Sequence, residues 1–186
     1  RAPRSDPDST VDPIRLAILT VSDGVARGVR EDRSGPAIAA WAEERGYRVV
    51  ERAVVPDESH SIASKLAAWA DGGGVDVVLT TGGTGFTGRD VTPEATRAVL
   101  EREAPGIAEA LRLHGAKATP YAWLSRGVAG VRGRTLIVNL PGSTSGVRDG
   151  LDVLGRLVEH AVQLLRGANP ERHEQSDGRD GSDHDA

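Results

Sequence analysis

The chain contains no cysteine, which excludes disulfides and cysteine-ligated metal centres while leaving the compartment open. Nor does it carry an excess of positive charge. Its 23 Lys and Arg stand against 27 Asp and Glu for a formal net charge of -4, without the basic footprint that nucleic-acid binding leaves. No window approaches the ~18 uninterrupted apolar residues of a membrane span, and no apolar signal core opens the sequence. A cytoplasmic protein working without nucleic acid or membrane is therefore the expectation. Histidines are few and scattered: His60, His114 and His160 are widely separated, and His173 and His184 lie in a polar stretch, so no transition-metal spacing appears.

What remains is enough for one core. At 186 residues with 38% apolar side chains, the chain is long enough for a single well-buried domain and short for two. Residues 1–13 read as a flexible proline-bearing arm, 169–186 as a disordered polar tail, and 14–168 as the domain. Within the domain, β-branched runs alternate with amphipathic stretches, the pattern of an α/β layer fold. Strands are expected over Ile14–Val21, Tyr47–Val55 and Val75–Thr81. The near-continuous apolar character of Val75-Asp76-Val77-Val78-Leu79 marks that run as central and parallel, covered on both faces. Val128–Val131 and Thr135–Leu140 flank Arg132-Gly133 and predict an antiparallel hairpin. One helix is expected from a Ser34 cap to a stop at Gly46, and a second carries Ile62, Leu66 and Trp69 on one face. A last long helix spans about Val147 to Leu165. The fold class is a three-layer α/β/α unit, mostly parallel with an antiparallel edge hairpin.

The segment Thr80-Thr81-Gly82-Gly83-Thr84-Gly85-Phe86-Thr87-Gly88-Arg89-Asp90-Val91-Thr92-Pro93-Glu94 joins the central strand to a helix. Glycines allow close approach of main-chain N–H groups to an anion, and a helix start with Thr92 as N-cap and Pro93 in the first turn adds the positive end of the dipole. A Walker A loop would need Lys followed by Ser or Thr, where this chain has Arg89-Asp90. Gly83-Thr84-Gly85-Phe86-Thr87-Gly88 matches G-x-G-x-x-G literally, but its helix begins too late for a dinucleotide fingerprint. A carboxylate at Asp90 beside a phosphate costs about 4 kcal/mol per unit charge pair at ~4 Å and an effective dielectric of ~20. Magnesium reverses that cost by binding one or two carboxylates together with substrate phosphates, which gives Asp90 and a second acid such as Asp57 a chemical reason to flank a nucleotide.

From Ile14 to Leu165 these residues resemble the MogA and MoaB type molybdopterin-binding proteins. The likeness rests on two long motifs. One is Thr81-Gly82-Gly83-Thr84-Gly85 followed by Arg89-Asp90-Val91-Thr92-Pro93-Glu94-Ala95-Thr96; the other is Asn139-Leu140-Pro141-Gly142-Ser143. Shorter matches are Val21-Ser22-Asp23, Asp32-Arg33-Ser34-Gly35, Pro56-Asp57-Glu58 and Leu124-Ser125-Arg126-Gly127. The resemblance implies that Asp57 and Asp90 are the essential acids and hold Mg2+. It also implies that Ser22, Asp23, Thr81, Gly82, Gly83, Thr84, Gly85, Glu94, Ser125, Arg126, Asn139, Pro141, Gly142 and Ser143 form the cleft for ATP and molybdopterin. The implied reaction is adenylylation of molybdopterin in molybdenum cofactor biosynthesis. The implied assembly is a homotrimer, with a hexamer as the alternative, that hands its product to a molybdate-inserting enzyme. Two departures stand out: Gly88 where related sequences often have proline, and Ser143-Thr144 in place of a Ser-Pro or Asn-Pro pair. The competing reading is a catalytically silent, MoaB-like pterin-binding or scaffold protein. The chain lacks room for the additional domains of the inserting enzyme itself.

Overall fold

The computed structural model describes residues 12–167; the expected tail, and the expected arm apart from Asp12 and Pro13, lie outside the described residues. Six strands form one sheet: β1 Arg15–Val21, β2 Arg48–Val55, β3 Val77–Thr81, β4 Arg102–Glu103, β5 Ala129–Arg132 and β6 Thr135–Leu140. Their order is β2-β1-β3-β6-β5-β4. The first four in that order are parallel, while β5 runs antiparallel to β6 and to β4. The expected hairpin is thus present, but β6 is also an inner parallel strand paired with β3, so the antiparallel edge consists of β5 and β4.

Alternation along the strands divides the core into two layers. Leu16 and Ile18 of β1, Val77 and Leu79 of β3, and Leu136, Val138 and Leu140 of β6 point to one face. There they meet the helices α2 Ser34–Glu44, α6 Thr144–Leu154 and α7 Val158–Arg166. Ala17, Leu19, Val78 and Ile137 point to the other, under α3 Ser59–Asp71 and α4 Thr92–Val99. All five residues of β3 are buried, as its apolar run requires of a strand covered on both sides.

Three expectations are corrected. The last helix is two, because α6 ends at Leu154 with Gly155 as its C-cap and α7 begins at Val158. Glycine is a weak helix residue, and a Cβ there would lie 2.2 Å from the guanidinium of Arg45, which donates to the Gly155 carbonyl at 3.1 Å. Ser34 is the first residue of α2 and not its cap; its hydroxyl donates to the Gly142 carbonyl at 2.8 Å, while Asp32 accepts from the Gly35 N–H at 2.9 Å. Thr92 likewise follows the N-cap Val91, and its hydroxyl donates to the Gly82 carbonyl at 3.0 Å. The short helix α1 Asp23–Ala26, the helix α5 Pro105–Gly115 and the 3-10 helix Pro120–Leu124 complete the described elements.

The amino edge of the sheet is clamped by charge. Asp76, buried just before β3, accepts from Arg15 on β1 (2.8, 3.1 and 3.1 Å) and from Arg166 at the end of α7 (2.7 and 3.3 Å). Arg166 also donates to the carbonyls of Asp12 and Pro13, fixing the last two residues of the expected arm. Burial opposes ionisation of Asp76, but the two guanidinium groups outweigh it and hold the carboxyl well below the usual aspartate range.

Candidate active site

Because β1, β2, β3 and β6 are parallel, the loops that leave their carboxyl ends lie along one edge of the sheet. The chain moves from β1 outward to β2 and then back across to β3, so the crevice between β1 and β3 is a topological switch point, where open α/β sheets bind ligands. Ser22 follows β1, Asp57 follows β2, the glycine loop follows β3 and Pro141-Gly142-Ser143 follows β6.

The root of the glycine loop requires its glycines. Gly82 and Gly83 have φ of 96° and 68°, a region that other residues seldom occupy. A Cβ would come within 2.2 Å of the Val21 carbonyl at Gly82 and within 2.2 Å of the Thr92 hydroxyl at Gly83. The Gly82 N–H donates to the Leu140 carbonyl at 3.3 Å and the Thr81 hydroxyl to the Pro141 carbonyl at 2.7 Å, which fastens this loop to the one after β6. The N–H groups of Gly83, Thr84 and Gly85 have no protein acceptor among the described residues, which leaves three main-chain donors for an anion.

Arg126 reaches the far side of the same loop. It donates to the Gly85 carbonyl at 2.7 Å and the Asp90 carbonyl at 2.6 Å, and it pairs with Glu94. Its guanidinium therefore ties the two limbs of the loop together. Asn139, expected to face substrate, is buried. Its amide donates to the hydroxyls of Thr80 and Thr96 at 3.0 Å each and accepts from the Val128 N–H at 3.1 Å. Both amide hydrogens are spent on holding β6 to its neighbours.

The acids converge. Asp57 and Asp90 line one open cavity of about 520 Å³ with Ser22, Thr81, Gly82, Gly83, Gly142 and Ser143. Asp57 Oδ2 accepts from the Asp23 N–H at 2.8 Å, and the Asp57 N–H donates to Asp23 Oδ1 at 3.0 Å. Asp90 Oδ2 accepts from the N–H and hydroxyl of Thr87, both at 2.8 Å. Each acid keeps Oδ1 without a hydrogen-bond partner among the described residues. Burial pushes the Asp57 carboxyl up from its ordinary value, and the charges of Asp23 and Asp90 add to the rise, against the Asp23 N–H and the more distant Arg89. A pair of acids with spare oxygens, one already disfavoured as an anion by burial and like charge, is a donor set suited to a hard divalent cation.

A second cavity of about 530 Å³ lies across the loops. It takes Thr84, Gly85, Ser125, Asn139 and Pro141 from the expected site and shares Ser143 with the first. Leu111, Tyr121 and Leu124 give it apolar walls, fit for a flat heteroaromatic ring. Asp23, Glu94 and Arg126 line neither cavity; Asp23 bonds to Asp57 and Arg126 to Gly85 and Asp90, which do, while Glu94 pairs with Arg126. Arg30, Glu31, Asp32, Arg33 and Ser34 line the first cavity, and Arg112 the second, although no site role follows for them from the sequence. The motif Asp32-Arg33-Ser34-Gly35 was the available signal. Arg112 had none, since α5 itself goes unread. The fold also brings His114 near Asp149 and Asp152, their ligand atoms within 4.8 Å of one another, a grouping hidden by sequence distance.

Comparison with known proteins places the chain among relatives of one family. Residues 17–160 match the family described as probable molybdopterin binding domain. The chain is 42% identical over 157 residues to the molybdenum cofactor synthesis protein cinnamon of Drosophila melanogaster, covering 83% of this chain and 26% of that protein. It thus spans about a quarter of that relative's length. A molybdopterin adenylyltransferase of Helicobacter pylori is 38% identical over 156 residues, covering 83% of this chain and 89% of that one. Among solved structures, the molybdopterin biosynthesis enzyme MoaB from Thermus thermophilus superposes with a TM-score of 0.79 at 51% identity, over 83% of this chain and 97% of that one.

Proposed function

The chain belongs to the family of probable molybdopterin binding domains, and from that premise we propose that it adenylylates molybdopterin with Mg-ATP in molybdenum cofactor biosynthesis. The observation that carries the reading is the meeting of Asp57, Asp90 and the free N–H of Gly83 on one cavity, which shares Ser143 with an apolar cavity lined by Thr84 and Gly85. A relative aligned over most of both chains is named for this activity.

In the proposed reaction an oxygen of the pterin's terminal phosphate forms a bond to the α-phosphorus of ATP. The bond from that phosphorus to the bridging oxygen breaks, and pyrophosphate leaves with the electron pair. The attacking phosphate is already ionised near neutral pH, so no proton has to be removed, and the protein's work is alignment and neutralisation of charge. Asp57 and Asp90 would hold Mg2+ through their spare oxygens. When bound, magnesium supplies charge neutralisation on the phosphates. The N–H groups of Gly83, Thr84 and Gly85 orient phosphate oxygens, joined by those of Gly142 and Ser143. Arg126 acts by shaping the loop, since its donors are taken by Gly85, Asp90 and Glu94.

For the assembly we take a homotrimer. Exposed Leu113 and Trp123 supply apolar surface that association would cover, and sedimentation of the full chain measures the state. Among the described residues no helix is long and apolar enough to cross a membrane, and the cytoplasm is the compartment proposed. The direct test is incubation with molybdopterin, Mg-ATP and inorganic pyrophosphatase, with mass detection of the adenylylated pterin. Pterin binding without that product would overturn adenylyl transfer in favour of a binding or scaffold role.

A further inference from the structure

The loop after β3 and the loop after β2 each contribute one acid to the first cavity, and Arg89 together with Asp23, which follows β1, links them. Arg89 immediately precedes Asp90. Its Nε donates to Asp23 Oδ2 and its Nη2 to Asp23 Oδ1, both at 2.9 Å, a two-pronged fork that holds the carboxylate in one plane. Asp23 in turn exchanges main-chain to carboxylate bonds with Asp57 in both directions. The other cation near Asp23 among the described residues, Arg27, is more exposed and stands 4.0 Å away. Without the fork, Asp23 would be an uncompensated carboxylate near Asp57, free to turn away and release the Asp57 main-chain N–H that it holds. With the fork, Asp23 Oδ1 stays on the Asp57 N–H, so the main chain that carries Asp57 is moored through Asp23 to the segment that carries Asp90.

We propose that Arg89 is a positioning residue that acts through Asp23 to hold Asp57 and Asp90 on the one cavity where a divalent cation would bind them. The assignment rests on the adenylyl-transfer reading for its biological use and on the four hydrogen bonds for its geometry. An exposed ion pair of this kind contributes little to global stability, so a merely structural role and a positioning role predict different outcomes. Lysine at 89 would restore the charge without the fork.

The experiment measures Mn2+ binding by electron paramagnetic resonance, using the full chain with α,β-methylene-ATP. Wild type, Arg89→Ala, Arg89→Lys, Asp23→Ala and the Arg89→Ala/Asp23→Ala double variant are compared, with melting temperature as the folding control. Removing a group that orients a metal ligand typically weakens the metal by about 10- to 100-fold. That loss is expected for Arg89→Ala, with partial recovery in Arg89→Lys and melting within about 2 °C of wild type. In the Asp23→Ala background, Arg89→Ala should add less than about twofold, as residues acting in series do. Wild-type Mn2+ affinity in Arg89→Ala, or an equal loss in both backgrounds, overturns the proposal. A wild-type chain that binds no Mn2+ overturns it together with the metal site. If wild type binds Mn2+ and Arg89→Ala does not, yet no adenylylated pterin forms, the proposed function fails and this assignment stands.

Discussion

Asp76 and Asp57 are the same residue type at opposite ends of one sheet, and they are treated in opposite ways. At the amino edge, Asp76 receives two arginines and is held well below the usual aspartate range. At the carboxyl edge, burial pushes the Asp57 carboxyl up, two further carboxylates add to the rise, and the nearby Arg89 is engaged by Asp23. The difference lies in who provides the counter-charge. The protein neutralises Asp76 itself and gains a clamp between β1, β3 and α7, whereas Asp57 is left for a ligand to neutralise.

The contrast breaks most sharply at the functional end. Asp90→Asn and Asp57→Asn are each expected to lower adenylyl transfer by at least about a hundredfold to a thousandfold, measured by product formation at saturating Mg-ATP. Near-normal turnover in either would remove that acid from its role. Next in size, Asp76→Ala should destabilise the fold by about 3 kcal/mol, at the low end for a broken buried pair because both arginines are partly exposed. Urea unfolding at neutral pH reads this directly, and a loss under about 1 kcal/mol would reduce the clamp to an ordinary surface pair. The sign with pH follows from the depressed native value. The stabilisation from Asp76 is complete above the unfolded aspartate value of about 3.9 and is lost progressively as pH falls from there through the depressed native value. Wild type should therefore lose more stability than Asp76→Asn between about pH 5 and pH 3. The smallest effect is the reverse one. Because Asp57 is raised in the fold, its charge is a burden that grows as pH rises, and Asp57→Asn should melt at or slightly above wild type near neutral pH. A drop of several degrees would mean that Asp57 is neutralised from within, like Asp76.

Local pattern made the sheet legible. The apolar run ending at Leu79, the run from Ile14 to Val21 and the turn at Arg132-Gly133 each carry their meaning within a few residues. The division of the last helix did not, because Leu154 and Val158 keep helical spacing and the break depends on Arg45 packing against Gly155 from another element. In the site, Asp57, Asp90 and the glycines of the loop stood in motifs and line the cavities. The parts played by Arg89 and Arg126 are defined by partners 66 and 41 residues away, and no spacing rule reaches that far. Asn139 shows the converse: it sits in a motif suggestive of ligand contact, yet its neighbours in space occupy its amide.

The order of the strands also determines how this molecule meets others of its kind while it folds. A sheet ends in two rows of unpaired peptide groups, and such rows invite recruitment of foreign strands. Here one border, β2, presents exposed Arg48, Glu51 and Arg52, and the opposite border, β4, is only two residues long. A charged fringe on one side and a stub on the other give an incoming strand little to zip onto.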